Sequence, residues 1–240
     1  MQDSFYEEYL SRPPSGFSVP LIIFWHKRML RMAEHLGITK GKLLEVGFGF
    51  GFFASQAKKC GYEYSAVDGS FGIVKRAKQD GYTAYLGFIP PMPPDLEKSS
   101  QDIVWMSNVL EHAKDWAHAK AMLESVERTL TADGKICVIG PDMNKWGNLF
   151  WDVDWSHGYP TTETRVNQLL YEVGFIDIKS TTNTVTISHP LIRSVIDLLI
   201  ALIPWRLLDV LFVSLFGKPY MRSFMSLMGY RQIMCVGTKP

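Results

Sequence analysis

Two stretches of the chain hold residues whose types and spacing could do chemistry. In the first, the apolar run Leu43-Leu44-Glu45-Val46 leads into Gly47-Phe48-Gly49-Phe50-Gly51 and then a helix-like segment, Phe52 to Lys59. Alternating glycines let a backbone turn sharply and let a ligand come closer than a Cβ would permit. The following helix start presents unpaired N–H groups to electron-rich ligand atoms. The second stretch is Trp151-Asp152-Val153-Asp154-Trp155-Ser156-His157-Gly158-Tyr159-Pro160. A histidine takes a proton near neutral pH, and a carboxylate such as Asp154 could orient His157 and raise its basicity, which suits proton removal from a hydroxyl. The same segment also reads as a loop whose His157 caps the helix beginning near Thr161 or Thr162.

Positioning such groups needs a scaffold, and the chain is long enough for one. Its 240 residues, 47% hydrophobic and 20% charged, describe one large folded domain, 1–240, rather than a disordered chain. The net charge of +1 gives no electrostatic reason to expect nucleic acid as a partner. Cys60, Cys137 and Cys235 lie far apart, with neither metal nor redox spacing, and read as reduced thiols of a cytoplasmic protein. The polar, acidic start gives no sign of a secretory leader.

Apolar residues recur at helical spacing from Leu21 to Leu36, so 1–39 reads as an arm followed by a helix. Strands are then expected at Leu43–Val46, Tyr62–Val67, Thr83–Phe88, Asp102–Met106, Lys135–Gly140, from Phe175 through Thr184, and at Arg231–Thr238. Helices are expected at Phe71–Gln79, Trp116–Leu130 and Thr162–Val173. Alternation of this kind predicts an α/β fold, a parallel sheet covered on both faces, with ligands beyond the carboxyl ends of its strands. Glu45, Asp68, Phe88, Ser107 and Asn108 all fall at strand ends and should converge on one cleft.

With these motifs in order, the sequence resembles the class I S-adenosylmethionine-dependent methyltransferases of the broad small-molecule "type 11" group. The matching residues are Glu45-x-Gly47-x-Gly49-x-Gly51, Val67-Asp68, Asp102-Ile103-Val104 leading to Asn108-Val109-Leu110-Glu111-His112, Leu130-Thr131-Ala132-Asp133-Gly134, and Gly174-Phe175. The resemblance implies a Rossmann-like seven-stranded sheet in the order 3-2-1-4-5-7-6 with the last strand antiparallel. It implies S-adenosylmethionine as cofactor, with Gly47 and Gly49 passing under its methionine part and Glu45 at the base of that pocket. Asp68, beside Gly69, would accept both ribose hydroxyls, and Ser107 and Asn108 would line the sulfonium side. Where relatives often carry an aspartate for the adenine amino group, this chain has Gly87-Phe88-Ile89, so adenine is expected to pack against Phe88 or Ile89. Phe48 and Phe50, between the glycines, could wall the pocket, a sulfonium near aromatic faces being favourable.

The implied reaction is methylation, here most naturally of a hydroxyl on a small molecule, a sugar or a lipid-linked glycan, with His157 as base and Asp154 as its orienting partner. Glu111-His112 is expected to shape a helix start. No third ligand stands near it in sequence, so no metal is expected. Residues 189–228 form an apolar helical insertion with basic flanks, too short to span a bilayer. It reads as extra core or a lid over the acceptor pocket, a dimer interface, or a helix lying on the inner face of the membrane; Arg193–Asp197, four residues apart, keeps one helical face polar, and the basic flanks and Trp205 suit the last. Two other classes compete: a nucleotide-cofactor oxidoreductase, whose Gly-x-Gly-x-x-Gly register Phe50-Gly51 breaks, and a non-catalytic S-adenosylmethionine-binding membrane-associated protein.

Overall fold

The computed structural model describes residues 18–94, 96, 99–183, 214 and 231–240. The N-terminal arm before Ser18 and the 189–228 insertion, with Arg193, Asp197 and Trp205, lie outside the described residues, apart from Ser214. In chain order the elements are α1 (Ser18–His35), β1 (Lys42–Val46), α2 (Phe52–Lys59), β2 (Glu63–Asp68), α3 (Phe71–Gln79), β3 (Thr83–Leu86) and β4 (Gln101–Ser107). After a 3-10 turn (Leu110–His112) come α4 (Trp116–Thr129), β5 (Leu130–Pro141), α5 (Met143–Trp146), α6 (Leu149–Asp152), α7 (Glu163–Val173), β6 (Ile176–Asn183) and β7 (Gln232–Thr238).

The strands form one sheet in the order β3-β2-β1-β4-β5-β7-β6, as expected. β1 to β5 are mutually parallel, and β7 runs antiparallel to both β5 and β6. Strand side chains alternate between two cores, which is why both faces need helices. Leu44, Val46, Val104, Met106 and Val138 pack beneath α4 and α7. Leu43, Ile103, Trp105, Cys137 and Ile139 pack beneath α1, α2 and α3. There Phe53 of α2 stacks on Trp105 of β4, ring centroids 4.5 Å apart.

Helix starts follow capping chemistry. Ser70 accepts from the Ile73 N–H, Asp115 from His118 and Thr162 from Arg165, so α7 begins one residue later than its periodicity suggests. The third strand ends at Leu86 rather than Phe88, where Gly87 meets the Pro93 ring. The Thr131–Gly134 turn is absorbed into β5 as an irregularity in its register with β4.

Among the described residues, no helix is long and apolar enough to cross a membrane. On α1, His26 is held between Trp25 and Phe53, ring centroids 4.6 Å and 5.7 Å away, and its Nδ1 has no hydrogen-bond partner. Burial pushes its imidazole down to about 4. An unfolded chain takes up that proton near the ordinary value of about 6.5. The stability due to neutral His26 is therefore complete above about pH 6.5 and lost as pH falls toward 4, up to roughly 3 kcal/mol. His26→Phe should flatten the dependence of melting temperature on pH across that window; a calorimetric slope identical to wild type would refute the assignment.

Candidate active site

β1 delivers the chain into Gly47, Gly49 and Gly51, all at positive φ (84°, 54° and 77°). Gly51 is doubly constrained, because a Cβ there would lie 2.7 Å from Cζ of Phe48. The Phe48 ring is buried beneath the loop against Tyr82, centroids 5.5 Å apart, so it is a floor for the glycines, and the residue lines the same cavity as they do. Phe50 stays half-buried, with the Arg76 guanidinium 5.9 Å from its ring centroid. Arg76 also donates to the Gly49 carbonyl and so ties the loop to α3.

Asp68 ends β2 beside that loop. Its Oδ2 accepts from the Phe48 N–H and its Oδ1 from the Ser70 N–H, both at 2.9 Å. Burial pushes the carboxyl above its ordinary value, with the N–H donors and Arg76 pulling the other way. Each carboxylate oxygen can accept a second bond, so the group can still take a pair of hydroxyls. Glu45, deeper down, is 4% exposed and accepts from the Tyr64 hydroxyl. Burial, offset in part by Tyr64 and reinforced by the charge of Asp68, holds it well above the carboxylate range. The Phe88 ring fills the space that a Cβ on Gly69 would need and is 62% exposed, leaving ring surface for a planar ligand. At the end of β4, Asn108 adopts φ 53° and accepts from Gln232 Nε2 of β7 at 3.2 Å, with Ser107 just before it. Glu45, Gly47, Gly49, Asp68, Gly69, Phe88, Ser107 and Asn108 all line one cavity of about 1130 Å³. That exceeds what a drug-sized ligand alone requires, by roughly 100 Å³ or more. Leu21, Ile22 and Trp25 of α1 line it too, a contribution that helical periodicity does not reveal.

The second constellation reaches the same cavity through an unexpected route. Gly158 and Tyr159 donate their N–H groups to the Glu111 carbonyl at 2.9 Å and 3.1 Å, docking the loop after β5 onto the 3-10 turn after β4. A Cβ on Gly158 would sit 2.5 Å from the Ala113 carbonyl, so only glycine permits this approach. The Asp154 side chain does not orient His157 as its spacing suggested. Its Oδ1 accepts from the Ser156 hydroxyl at 2.6 Å and from the Ser156 N–H at 2.9 Å. Ser156 Oγ in turn lies 2.8 Å from His112 Nδ1. Since the hydroxyl proton goes to Asp154, His112 Nδ1 must be the donor, which leaves its Nε2 as a lone pair. His157 is oriented instead by the Phe150 carbonyl, 2.5 Å from its Nδ1, and its Nε2 is likewise left as an acceptor.

The two rings meet edge to face, centroids 5.0 Å apart. Burial, and then His157, lower the His112 imidazole despite the charge of Asp154. Burial alone would raise the Asp154 carboxyl, but the Ser156 bonds and both imidazoles bring it below its ordinary value. Behind the pair, Glu111 is 1% exposed. Burial pushes its carboxyl up to about 8. One ligand atom from each of Glu111, His112 and His157 lies within 4.8 Å of the others. The expectation that no third metal ligand stands near Glu111-His112 is thus corrected: docking of the loop supplies His157. Ser156 was passed over because a lone serine in a loop carries no spacing signal.

Comparison with known proteins agrees with this geometry. Residues 44–138 match the family described as a methyltransferase domain. The fold is similar to that of an S-adenosylmethionine-dependent methyltransferase from Archaeoglobus fulgidus, at 16% identity and TM-score 0.61, covering 89% of this chain and 92% of that one. It is also similar to a Thermotoga maritima methyltransferase described as a possible histamine N-methyltransferase, at 17% identity, TM-score 0.60 and 92% of both chains. A third similar structure is Haemonchus contortus phosphoethanolamine N-methyltransferase 2 in complex with S-adenosyl-L-methionine, at 19% identity and TM-score 0.60, covering 98% of this chain and 56% of that one. No curated protein matches the sequence. The solved structures establish the fold, and residues 44–138 match a methyltransferase domain, for which S-adenosylmethionine is the cofactor.

The residues present suit that cofactor. Asp68 has acceptor capacity for the two ribose hydroxyls, Gly47 and Gly49 offer backbone without side chains, and Phe88 offers an uncovered ring. Replacing Asp68 by alanine should weaken S-adenosylhomocysteine binding by at least about a hundredfold, because it removes two hydrogen bonds to a charged group. Titration calorimetry measures this, and wild-type affinity would remove Asp68 from the binding site.

Proposed function

We propose that this methyltransferase methylates a hydroxyl oxygen, on an apolar small molecule, a sugar or a lipid-linked glycan. The reading is carried by one observation: two imidazoles with proton-free Nε2 atoms line the cavity that also holds Ser107 and Asn108. S-adenosylmethionine supplies a methyl group already activated on a sulfonium. The protein's share of the work is then to position the acceptor and to make its oxygen nucleophilic. An amine acceptor needs only its neutral form, whereas a hydroxyl has to lose a proton, and an imidazole with an unengaged ring nitrogen is suited to that task. Depression of the His112 pKa keeps that ring neutral, and Asp154, acting through Ser156, stabilises the ring when positive charge develops on it.

The rim of the cavity supports an acceptor with apolar character. Leu21 and Phe24 on α1 are 37% and 52% exposed, and Trp151 and Trp155 beyond α5 are 43% and 73% exposed. Leu21 and Trp155 border the cavity directly. A lipid-linked acceptor presents this combination of a polar reacting end and an apolar body, and peripheral contact with a membrane follows from it.

Wild-type enzyme and labelled donor, incubated with aqueous and lipid fractions of a cell extract, should give a methyl ether, with label enriched in the lipid fraction. Label found solely on nitrogen would overturn the reading. His157→Ala should bind S-adenosylhomocysteine within about twofold of wild type yet turn over at least about a hundredfold more slowly; undiminished turnover would dismiss His157.

A further inference from the structure

We infer that Glu111, His112 and His157 form a binding site for one divalent transition-metal ion of the zinc type, with the open side of the site facing the acceptor cavity. Three observations meet here. The first is convergence: the three side chains come from two loops after different strands, yet each offers a ligand atom within 4.8 Å of the others. Bonds of about 2.0–2.1 Å to zinc require donor separations near 3.4 Å, so closing on an ion moves these groups by about 1–1.5 Å.

The second is the state of the rings. Both Nδ1 atoms are already engaged, His157 with the Phe150 carbonyl and His112 with Ser156 and, beyond it, Asp154. Metal-binding histidines typically give their remote N–H to a backbone carbonyl or toward a carboxylate, which fixes the tautomer and turns the lone pair to the ion. Here both rings are set in that way, and Nε2 is what each has left to offer. A single histidine arranged so would be ordinary, but two in edge-to-face contact beside a buried carboxylate are a ligand set.

The third is Glu111. Its side chain is 1% exposed, and Oε2 has no hydrogen-bond partner. A buried polar atom without a partner costs free energy, and a cation in the adjoining space would offset that cost. Two imidazoles and one carboxylate suit borderline ions such as zinc and disfavour magnesium and calcium, which prefer all-oxygen shells. Three protein ligands also leave a coordination position open. His112 and His157 line the cavity, so that position faces the acceptor.

The role of the ion, though not its binding, rests on the hydroxyl-acceptor reading above. With both Nε2 atoms on the ion neither imidazole acts as the base; ligation by the cation acidifies the acceptor hydroxyl instead, and its proton passes to solvent. The acceptor oxygen then forms the new O–C bond as the C–S bond breaks. The positive charge of the sulfonium is lost, and a methyl ether, S-adenosylhomocysteine and one proton are the balanced products.

The test uses the full chain, stripped with a chelator and titrated with zinc chloride, with magnesium chloride in parallel. Zinc should bind at one equivalent per chain with magnesium at least a hundredfold weaker. Glu111→Gln and His157→Ala should each weaken zinc binding at least tenfold while leaving S-adenosylhomocysteine affinity unchanged. Cobalt(II) bound to the wild-type chain should give the intense visible absorption of a low-coordinate site, a readout that needs no variant to fold. Absence of stoichiometric zinc binding, zinc binding indifferent to both variants, or an octahedral cobalt spectrum would each overturn the inference. If zinc fails to bind while hydroxyl methylation still depends on His157, the metal inference falls and the proposed function stands. Tight zinc binding with label solely on nitrogen does the reverse.

Discussion

The carboxylate of Asp68 is the constraint on which the glycine-loop half of the cavity depends. It accepts one N–H from the loop after β1 and another from the start of α3, and so fastens two neighbouring strand ends to each other. Loops at the end of a parallel sheet have no ladder to hold them, and their shape must come from bonds of this kind. Arg76 supplies the complementary tie from α3 to the Gly49 carbonyl. Glycine loop, strand end and helix start therefore act as one unit, and the cradle is shaped before any ligand enters it. Preorganisation of this sort reduces the ordering cost of binding.

The half of the cavity that holds His112 and His157 is built by a different device. Its loop is held by a backbone carbonyl, that of Glu111, which receives two consecutive N–H groups. The same residue that anchors the loop contributes the buried carboxyl, so the anchor and the chemistry cannot be separated in space. Asp154 and Ser156 then lock within the loop and reach outward to His112. The consequence is two rings with fixed tautomers, a condition that neither loop could impose alone.

Much of the framework was legible in the sequence because it rests on local periodicity. The helices at Phe52–Lys59 and Phe71–Gln79 begin and end where their apolar spacing and flanking residues put them. The strand order follows from the resemblance that the ordered motifs carry, and strand-end residues such as Asp68 and Asn108 face one cavity because parallel sheets place their carboxyl ends together. Legibility fails where direction is decided by docking. Nothing in Gly47-Phe48-Gly49 says that the phenyl ring turns down onto Tyr82, since that depends on the space beneath Gly51. The distance in sequence between His112 and His157 likewise hides their contact, and Asp154 looked like the partner of the nearer histidine because proximity along a chain is the cue a sequence provides.

The position of β7 has a consequence for how the molecule comes together. This strand follows β6 in the chain, yet it is wedged between β6 and β5, hydrogen-bonded to both. Before it arrives, β5 exposes a raw border of amide and carbonyl groups and β6 has nothing to join. The five parallel strands can assemble from neighbours met early, whereas the far side waits for a keystone reached last, at the entropic expense of joining strands far apart in the chain. Gln232, which begins that keystone, holds Asn108, so one wall of the cleft gains its support at the moment the sheet is completed.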